Sequence, residues 1–584
     1  MILAGALGDR AGRFAARFPA IARAAFERPR DAPTGFFKEQ VWTFAPQERS
    51  PLPGSPASPD HPTGRRILYG LIGVLIGLTG GMGNALVSVN LPYLEGALGL
   101  YANEIAWLPA VYAMTNVVSS MVLIKYRQQF GLRSFALIFV SLYCAITFGH
   151  VFVRSFAAAI AVRAASGVAA AALTNLCLYY VMQAFPARWR QKAIVVGIAV
   201  PQLAIPIARL FSSDLLAIDQ WRALYLFEFG LALISLAAVA LVRLPPSQKG
   251  KAFEPLDAVT IVLFAGAMAL VCAVLGLGRY DWWTDRDWIG WALAGSMPLL
   301  AGVFLIEYHR ANPLIDMRWL GTIDFLRFAV VGVIARIVLS EQTYGSVGLL
   351  AALGFTNDQL YIFSLLIVLA SVAGIVVSAT LISPTRLTEP VMFAIGLVAV
   401  GSYFDSFATN LTRAPEMYLS QMLIAFSTTL FIGPALLIGF TRVLAHGGKT
   451  LTSFIVLFGM TQSLGGLIGT ATLGTYQVIR EKQHSFEIVQ RLTMIDPNVV
   501  NRVQQSGAAY ARVIGDPSLR TAEGLALLSQ QATREANVLA FNDVFWLVSV
   551  LAAATTVMLI LIRLHRGPVD RPIKSDPPHK SVPA

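Results

Sequence analysis

The stretch 70-GLIGVLIGLTGGMGNALVSVNLPYLEGALGL-100 begins as an apolar run rich in glycine and then places Asn84, Asn90, Pro92 and Glu95 towards its far end. Its apolar part is long enough to cross a hydrocarbon layer, for which about 20 helical residues suffice. Polar groups at the end of such a helix face either water or a polar passage. The rest of the chain repeats the pattern. Of its 584 residues, 56% are hydrophobic and 13% charged, which leaves too little polar surface to cover the core a water-soluble chain of this composition would need. The composition therefore predicts an all-α polytopic membrane protein.

Hydrophobic segments lie near 67–89, 105–124, 134–152, 156–184, 193–213 and 223–242. Two more follow near 257–277 and 289–306, and another six near 328–351, 359–382, 390–408, 417–440, 450–474 and 541–562. Six, two and six spans put both termini on one side. Lys125, Arg127, Arg133, Arg188, Arg190, Lys192, Arg243, Lys249, Lys251, Arg310, Arg318, Arg327, Arg386, Arg442 and Lys449 fall in the even-numbered loops. The odd-numbered short loops hold only Arg154, Arg222, Arg279, Arg286 and Arg413. Positive loops stay in the cytoplasm, so both termini are expected there, in a cell inner (cytoplasmic) membrane. The formal charge of +12 is then a topology signal; no RNA-binding or helix-turn-helix pattern accompanies it, and no nucleic-acid partner is expected.

Soluble-enzyme chemistry finds no support. Cys144, Cys177 and Cys272 sit inside apolar runs, and His150, His446 and His484 show no paired metal spacing. No Gly-rich loop is followed by Lys and Ser/Thr, which argues against nucleotide hydrolysis. The expectation is a non-enzymatic secondary carrier, without cofactor or metal, worked by an ion gradient.

Residues 1–66 read as a mostly disordered basic tail ending in the Pro/Ser-rich "SPLPGSPASPDHPTG", and 563–584 as a second cytoplasmic tail. Between the last two spans, residues 475–540 form a polar segment of helical composition, broken at Pro497 and at Asp516-Pro517. It reads as a small extracytoplasmic helical lid or docking element.

Ionisable side chains within spans cost at least ~2.5 kcal/mol and so mark cavities or partners. Glu341, Tyr344, Gly345 and Gly348 recur with helical spacing and predict one polar, small-residue stripe, with Arg336 off that face. The carboxyl of Glu341 could carry a proton or be a satisfied core group. Arg209 and Glu228 lie at similar depth on consecutive antiparallel helices, so Glu228 is expected to pair with Arg209 or Arg222. Asp214 and Asp405 are expected to be solvated. Asn84 and Ser88, one turn apart, with Asn175 on the fourth span, could wall a substrate passage; Gly81, Gly83 and Gly96 could instead serve close packing and helix breaking. Tyr112, Tyr143, Tyr179, Tyr180, Tyr344 and Tyr361 could stack on a ligand or simply pack.

Local motifs then bring in a resemblance. "RAASGVAAA" supplies Arg163 and Gly167, "IPIARLFSSD" contains Pro206, "WRALYLFEFG" opens the sixth span, and "QSLGGLIGT" supplies Gln462, Gly465, Gly466 and Gly469. With the six-two-six layout and "QQATREANVLAFNDVFW" at the end of the long loop, the chain resembles the major facilitator superfamily, in particular its 14-span drug:proton antiporters similar to EmrB. The resemblance covers residues 67–563. It implies two six-helix bundles, 67–243 and 328–562, with two inserted helices at 257–306. It also implies alternating access driven by protons, with Arg163 facing inwards, and multidrug export of small amphipathic or aromatic compounds. A periplasmic membrane-fusion adaptor and an outer-membrane channel are the implied partners, beside substrate and membrane lipid. The pattern is incomplete. Gly83 stands where the family usually has a first-span Asp, Ser88 where it has Asn, Ser166 where it has Gln, and Arg209 and Leu210 where glycines are usual; Gln128 replaces an acid in the loop motif. Proton coupling would have to use other residues, with Glu341, Glu228, Arg163, Arg209 and Arg336 as candidates. A uniporter or specific metabolite or siderophore exporter, and a non-transporting receptor or scaffold, are the alternative readings.

Overall fold

The computed structural model describes residues 48, 54–310, 312–383, 386–445 and 451–566; most of both tails lies outside the described residues. The main helices are α1 Thr63–Val89, α2 Trp107–Phe130, α3 Leu132–His150, α4 Phe156–Ala184, α5 Arg190–Ala199 and α6 Ala204–Leu241. After them come α7 Pro255–Leu277, α8 Asp287–Tyr308, α9 Ile323–Leu339, α10 Val347–Ala352, α11 Tyr361–Leu381 and α12 Thr388–Asp405. The last four are α13 Tyr418–Ala445, α14 Leu451–Arg491, α15 Pro497–Ala508 and α16 Pro517–Arg566. No strand occurs among the described residues.

Helix boundaries follow local chemistry. Pro62 precedes α1, and the Ser155 hydroxyl accepts the Ala158 N–H to start α4. Gly131 joins α2 to α3 at φ 86°, a backbone conformation that strains any residue with a Cβ. The helical run α6 doubles back on itself. Gly81 meets Ala204 and the Asn90 amide donates to Ser212 Oγ at 2.9 Å, so α1 runs parallel to the first part. Gly83 meets Glu228 and Thr79 meets Ser235 at 2.8 Å, so it runs antiparallel to the second. Reversal between Ser212 and Trp221 accounts for the two membrane-length stretches Ala187–Ser212 and Trp221–Leu241.

Helices α1 to α6 pack as one bundle and α9 to α14 with α16 as another. Within each bundle a glycine admits a neighbouring threonine: Gly167 faces Thr115 and the Tyr112 carbonyl, and Gly374 faces Thr429 and the Phe426 carbonyl. Close approach of this kind drives helix association where both helices and lipid are apolar. The bundles meet through α2 against α14 and through α5 and α6 against α11 and α13. Near the start of α1, Ile194, Val195 and Leu203 interdigitate with Ile375, Ile432, Leu436 and Phe454, closing that end of the seam with apolar side chains.

Twelve described helices are long and apolar enough to cross a membrane. Two of the fourteen segments expected from sequence are not among them. The seventh core-type segment is helical but divided, because a π-helical turn at Gln342–Ser346 separates α9 from α10. Helix α12 has 18 residues and carries Glu389 and Asp405 at its ends. The polar segment after the eleventh core-type span is largely an extension of membrane helices: α14 continues to Arg491 and α16 starts at Pro517, with α15 packed on α16. Ser55, Ala57 and Ser58, read as part of a solvated tail, are buried; Ala57 bonds the Pro246 carbonyl and receives the Gln183 amide at 2.9 Å.

The hairpin α7–α8 lies over the seam, against α2 and α14. A charged cluster fastens it. Lys125 of α2 pairs with Asp257 at 2.8 Å, and Arg310 pairs with Asp257 at 2.7 Å and with Glu254 and Glu307 at 2.8 Å. Thr260 donates to Glu307 at 2.7 Å, so each buried acid has donors. Asp257→Asn leaves two cations short of a partner and should destabilise the fold by about 3 kcal/mol, read as a lower Tm of the detergent-solubilised protein; an unchanged Tm would mean the cluster does not hold the hairpin.

Candidate functional site

Two fully buried carboxyl groups, one in each bundle, define the site. In the second bundle, Glu341 stands at the break between α9 and the π turn. The Gln421 amide of α13 donates to it at 3.1 and 3.3 Å, and the same Nε2 donates to Asp405 of α12 at 2.7 Å. Gln421 is held in that orientation because its Oε1 accepts from Ser346 at 3.1 Å, while Gln342 donates to its backbone carbonyl at 3.1 Å. Ser420 also donates to Asp405. No Lys, Arg or His forms an ion pair with either acid among the described residues.

Asp405 is therefore not solvated, as its place near a span end had implied, but buried at 4% exposure. The expected stripe beside Glu341 also divides. A π turn adds a residue to the repeat, so the spacing of an α-helix no longer holds across it. Tyr344 turns away to accept from Arg279 at 2.8 Å and to donate to Gln477 at 3.3 Å. Gly345 and Gly348 receive the rings of Phe545 and Phe541 instead of lining a passage.

In the first bundle, Glu228 accepts from Tyr143 Oη at 2.7 Å through Oε1, and its Oε2 is buried without a partner. The expected ion pairs are absent: Arg209 instead donates to Asn357 Oδ1 at 3.1 Å, and the Arg222 guanidinium lies over the Trp221 ring. The two charges share a depth but not a face, and sequence spacing constrains only depth across a turn. Arg163, 1% exposed, donates to the Gly83 carbonyl at 2.9 Å and to Asn84 Oδ1 at 2.8 Å and lies over the Tyr112 ring. A Cβ on Gly83 would come within 2.5 Å of Glu228 Oε1 and 2.6 Å of Tyr143 Oη.

The remaining candidates distribute around these clusters. Ser88 is half-buried one turn beyond Asn84, whereas Asn175 donates to the Ala171 carbonyl of its own helix, twelve residues or about 18 Å along α4 from Arg163. Arg336 donates to the Gln462 carbonyl at 3.1 Å, and its Nε and Gln462 Oε1 are both buried without partners. Gly465 and Gly469 make room for Arg336 and Ser340, respectively, while Gly466 is looser. Pro206 lies in the first turn of α6, where a missing N–H costs no helical bond. Of the tyrosines, Tyr112 and Tyr179 lie under Arg163 and Arg127, Tyr180 donates to the Val242 carbonyl, and Tyr361 is exposed.

A sequence model described as Major Facilitator Superfamily matches residues 73–470. This chain belongs to that superfamily. It is similar to the multidrug export protein EmrB of Haemophilus influenzae, 21% identical over 483 residues, covering 80% of this chain and 89% of the relative. It is also similar to the multidrug resistance protein Stp of Mycobacterium tuberculosis, 24% identical over 407 residues, 67% and 72% of the two chains. The solved structure of tetrameric PepTSo2 aligns at TM-score 0.51 and 13% identity over 86% of this chain and 99% of that one, a likeness of fold alone. The chain is thus a multi-pass membrane transporter of the superfamily, with multidrug exporters among its relatives, and a transporter contacts small-molecule substrate and lipid.

Within the superfamily pattern, Arg163 and Gly167 do separable things: Gly167 lets α4 approach α2, and Arg163 ties α4 to the carbonyl of the glycine that replaces the usual acid. Sequence reasoning missed Tyr143 and Gln421 as partners. Both look like ordinary polar residues of apolar helices, and only packing aims them at carboxyls. Exchanging charges as Arg209→Glu with Glu228→Arg should fold no better than Glu228→Arg alone, scored as monodisperse yield in detergent; a rescue would mean the two side chains meet.

Proposed function

We propose that the protein is a proton-driven exporter of small amphipathic or aromatic toxic compounds. In this reading it crosses a bacterial inner membrane fourteen times, with both termini in the cytoplasm, and uses no cofactor beyond the proton gradient. The observation that carries the reading is the pair Glu341 and Asp405 on one amide nitrogen, Gln421 Nε2. Two carboxylates in a dry site without a cation repel, so the pair holds a proton, and a rearrangement that admits water or separates the acids releases it. The pair sits beside the π turn that divides the seventh core-type segment, the backbone feature best suited to change register between two states.

Alternating exposure of the seam between the bundles would carry substrate past Asn84, Ser88, Arg336 and Gln462 while the acid pair loads and unloads. The similarity to EmrB and Stp supports export as the direction. Adding a panel of lipophilic cations, aromatic acids and siderophore-like compounds to purified protein in weakly buffered detergent should release protons with at least one of them. Glu341→Gln should abolish uphill export in proteoliposomes and remove the acid pair's share of that release while retaining binding, and Asp405→Asn should weaken the same share. Binding without proton release in the unaltered protein would favour the uniporter reading, and no binding the receptor reading.

The stalk built from α14, α15 and α16 is the element proposed to meet a periplasmic membrane-fusion adaptor and, through it, an outer-membrane channel. The loops at the two ends of α15 expose Ile495 at 91% and Val513 at 85%, large apolar side chains left uncovered. Replacing both with Glu should abolish co-purification of a co-expressed adaptor and leave proton release in detergent unchanged. Adaptor retention by that variant would count against the docking role.

A further inference from the structure

Glu228 stands where no chain neighbour explains it. It is fully buried in the first bundle, far along the sequence from Glu341, and its surroundings are built from five separate elements. Tyr143 of α3 donates to Oε1; Gly83 of α1 forms the floor beneath it; Arg163 of α4 donates to the carbonyl of that same glycine and lies over Tyr112 of α2; and Tyr225 lies one turn before Glu228 on α6. His150, at the end of α3, stacks on Tyr225 with ring centroids 4.6 Å apart and planes at 2°, and both its ring nitrogens are buried without partners.

Two details give the cluster a function. The space that Glu228 Oε1 and Tyr143 Oη occupy is the space a side chain on residue 83 would take, 2.5 and 2.6 Å from the missing Cβ. The carboxyl is thus supplied by α6 to a spot over α1, and α1 is glycine there to admit it. Second, Arg163 and Glu228 both reach Gly83 yet form no ion pair: Arg163 donates to neutral acceptors, Gly83 O, Asn84 Oδ1 and the Leu108 carbonyl, while Oε2 of Glu228 accepts from nothing. An arginine that bonds neutral oxygens while a carboxyl at the same glycine goes unpaired is in the arrangement expected when that carboxyl carries a proton.

We propose that Glu228 is a second proton-carrying carboxyl, separate from the Glu341–Asp405 pair, and that Arg163 reports its charge to Asn84 on the wall of the passage. With the proton on Glu228, Arg163 holds α1 through Gly83 O and Asn84 Oδ1. When the proton leaves to water, the bare carboxylate draws the guanidinium, and Asn84 is freed for substrate. No bond other than the O–H is made or broken. The inference rests on the proton-coupled reading for its purpose, but the protonation itself is measurable without transport.

The test is an infrared pH titration of the purified full-length protein in H2O and D2O, following the C=O stretch of protonated carboxyl groups. Glu341→Gln and Glu228→Gln should each remove a different component of the band. In Asn84→Ala, Arg163 loses an acceptor and turns to Glu228, so the pH at which the Glu228 component disappears should fall by about one unit. Tyr143→Phe, which removes a donor to the carboxylate, should move it the other way, and serves if Glu228→Gln does not fold. A band unaltered by Glu228→Gln, or a Glu228 component indifferent to both Asn84→Ala and Tyr143→Phe, overturns the proposal. Failure of every compound to release protons while the Glu228 component persists would instead overturn the exporter reading and leave the site standing.

Discussion

A charge inside a helix bundle that faces lipid has no water to fall back on, and that constraint shapes this protein more than any other. Buried carboxyls and guanidiniums draw what donors and acceptors they have from the bundle itself, and the helices are spaced and broken where they do so. Gln421 is the clearest case: one side-chain amide presents its nitrogen to two acids while its oxygen is fixed by Ser346. Without that bridge, α12, α13 and the π turn would bring two acids together with no shared donor.

The same constraint separates structural charge from working charge. In the cluster of Lys125, Asp257, Arg310, Glu254 and Glu307, opposite signs alternate and almost every acid oxygen has a cation or a donor. That is a fastening, and it ties the extra hairpin to the core at the seam. The acids at 228, 341 and 405 have no ion pair among the described residues and rely on neutral donors instead. On an acid, charge left without a cation can be removed by protonation, and under the proposed function that is what sets these three carboxyls apart from the fastening.

Glycine does the complementary work. Gly167 and Gly374 bring helices within reach of backbone carbonyls on their neighbours, and Gly433 takes the Val195 side chain across the seam. Gly83 uses its missing side chain differently, to make room for a carboxyl that arrives from another helix. Read along the chain, all four are glycines in apolar runs, and nothing local says which of them admits a carboxyl.

Twelve of the expected spans and the burial of Glu341 were legible in the sequence, because lipid-length apolar runs and the cost of a charge within them are properties of composition and spacing alone. Helix breaks at Pro497 and Pro517 were legible for the same local reason. What only the tertiary structure decided is which charges meet. Asp405 sits at a span end and reads as solvated until α13 covers it, and Arg209 and Glu228 share a depth but face different neighbours. The π turn after Glu341 displaced a stripe that was sound by α-helical arithmetic. Distance along a helix is written in the sequence, but rotation about its axis and the identity of the facing helix are set by packing, and the candidate site is made of those.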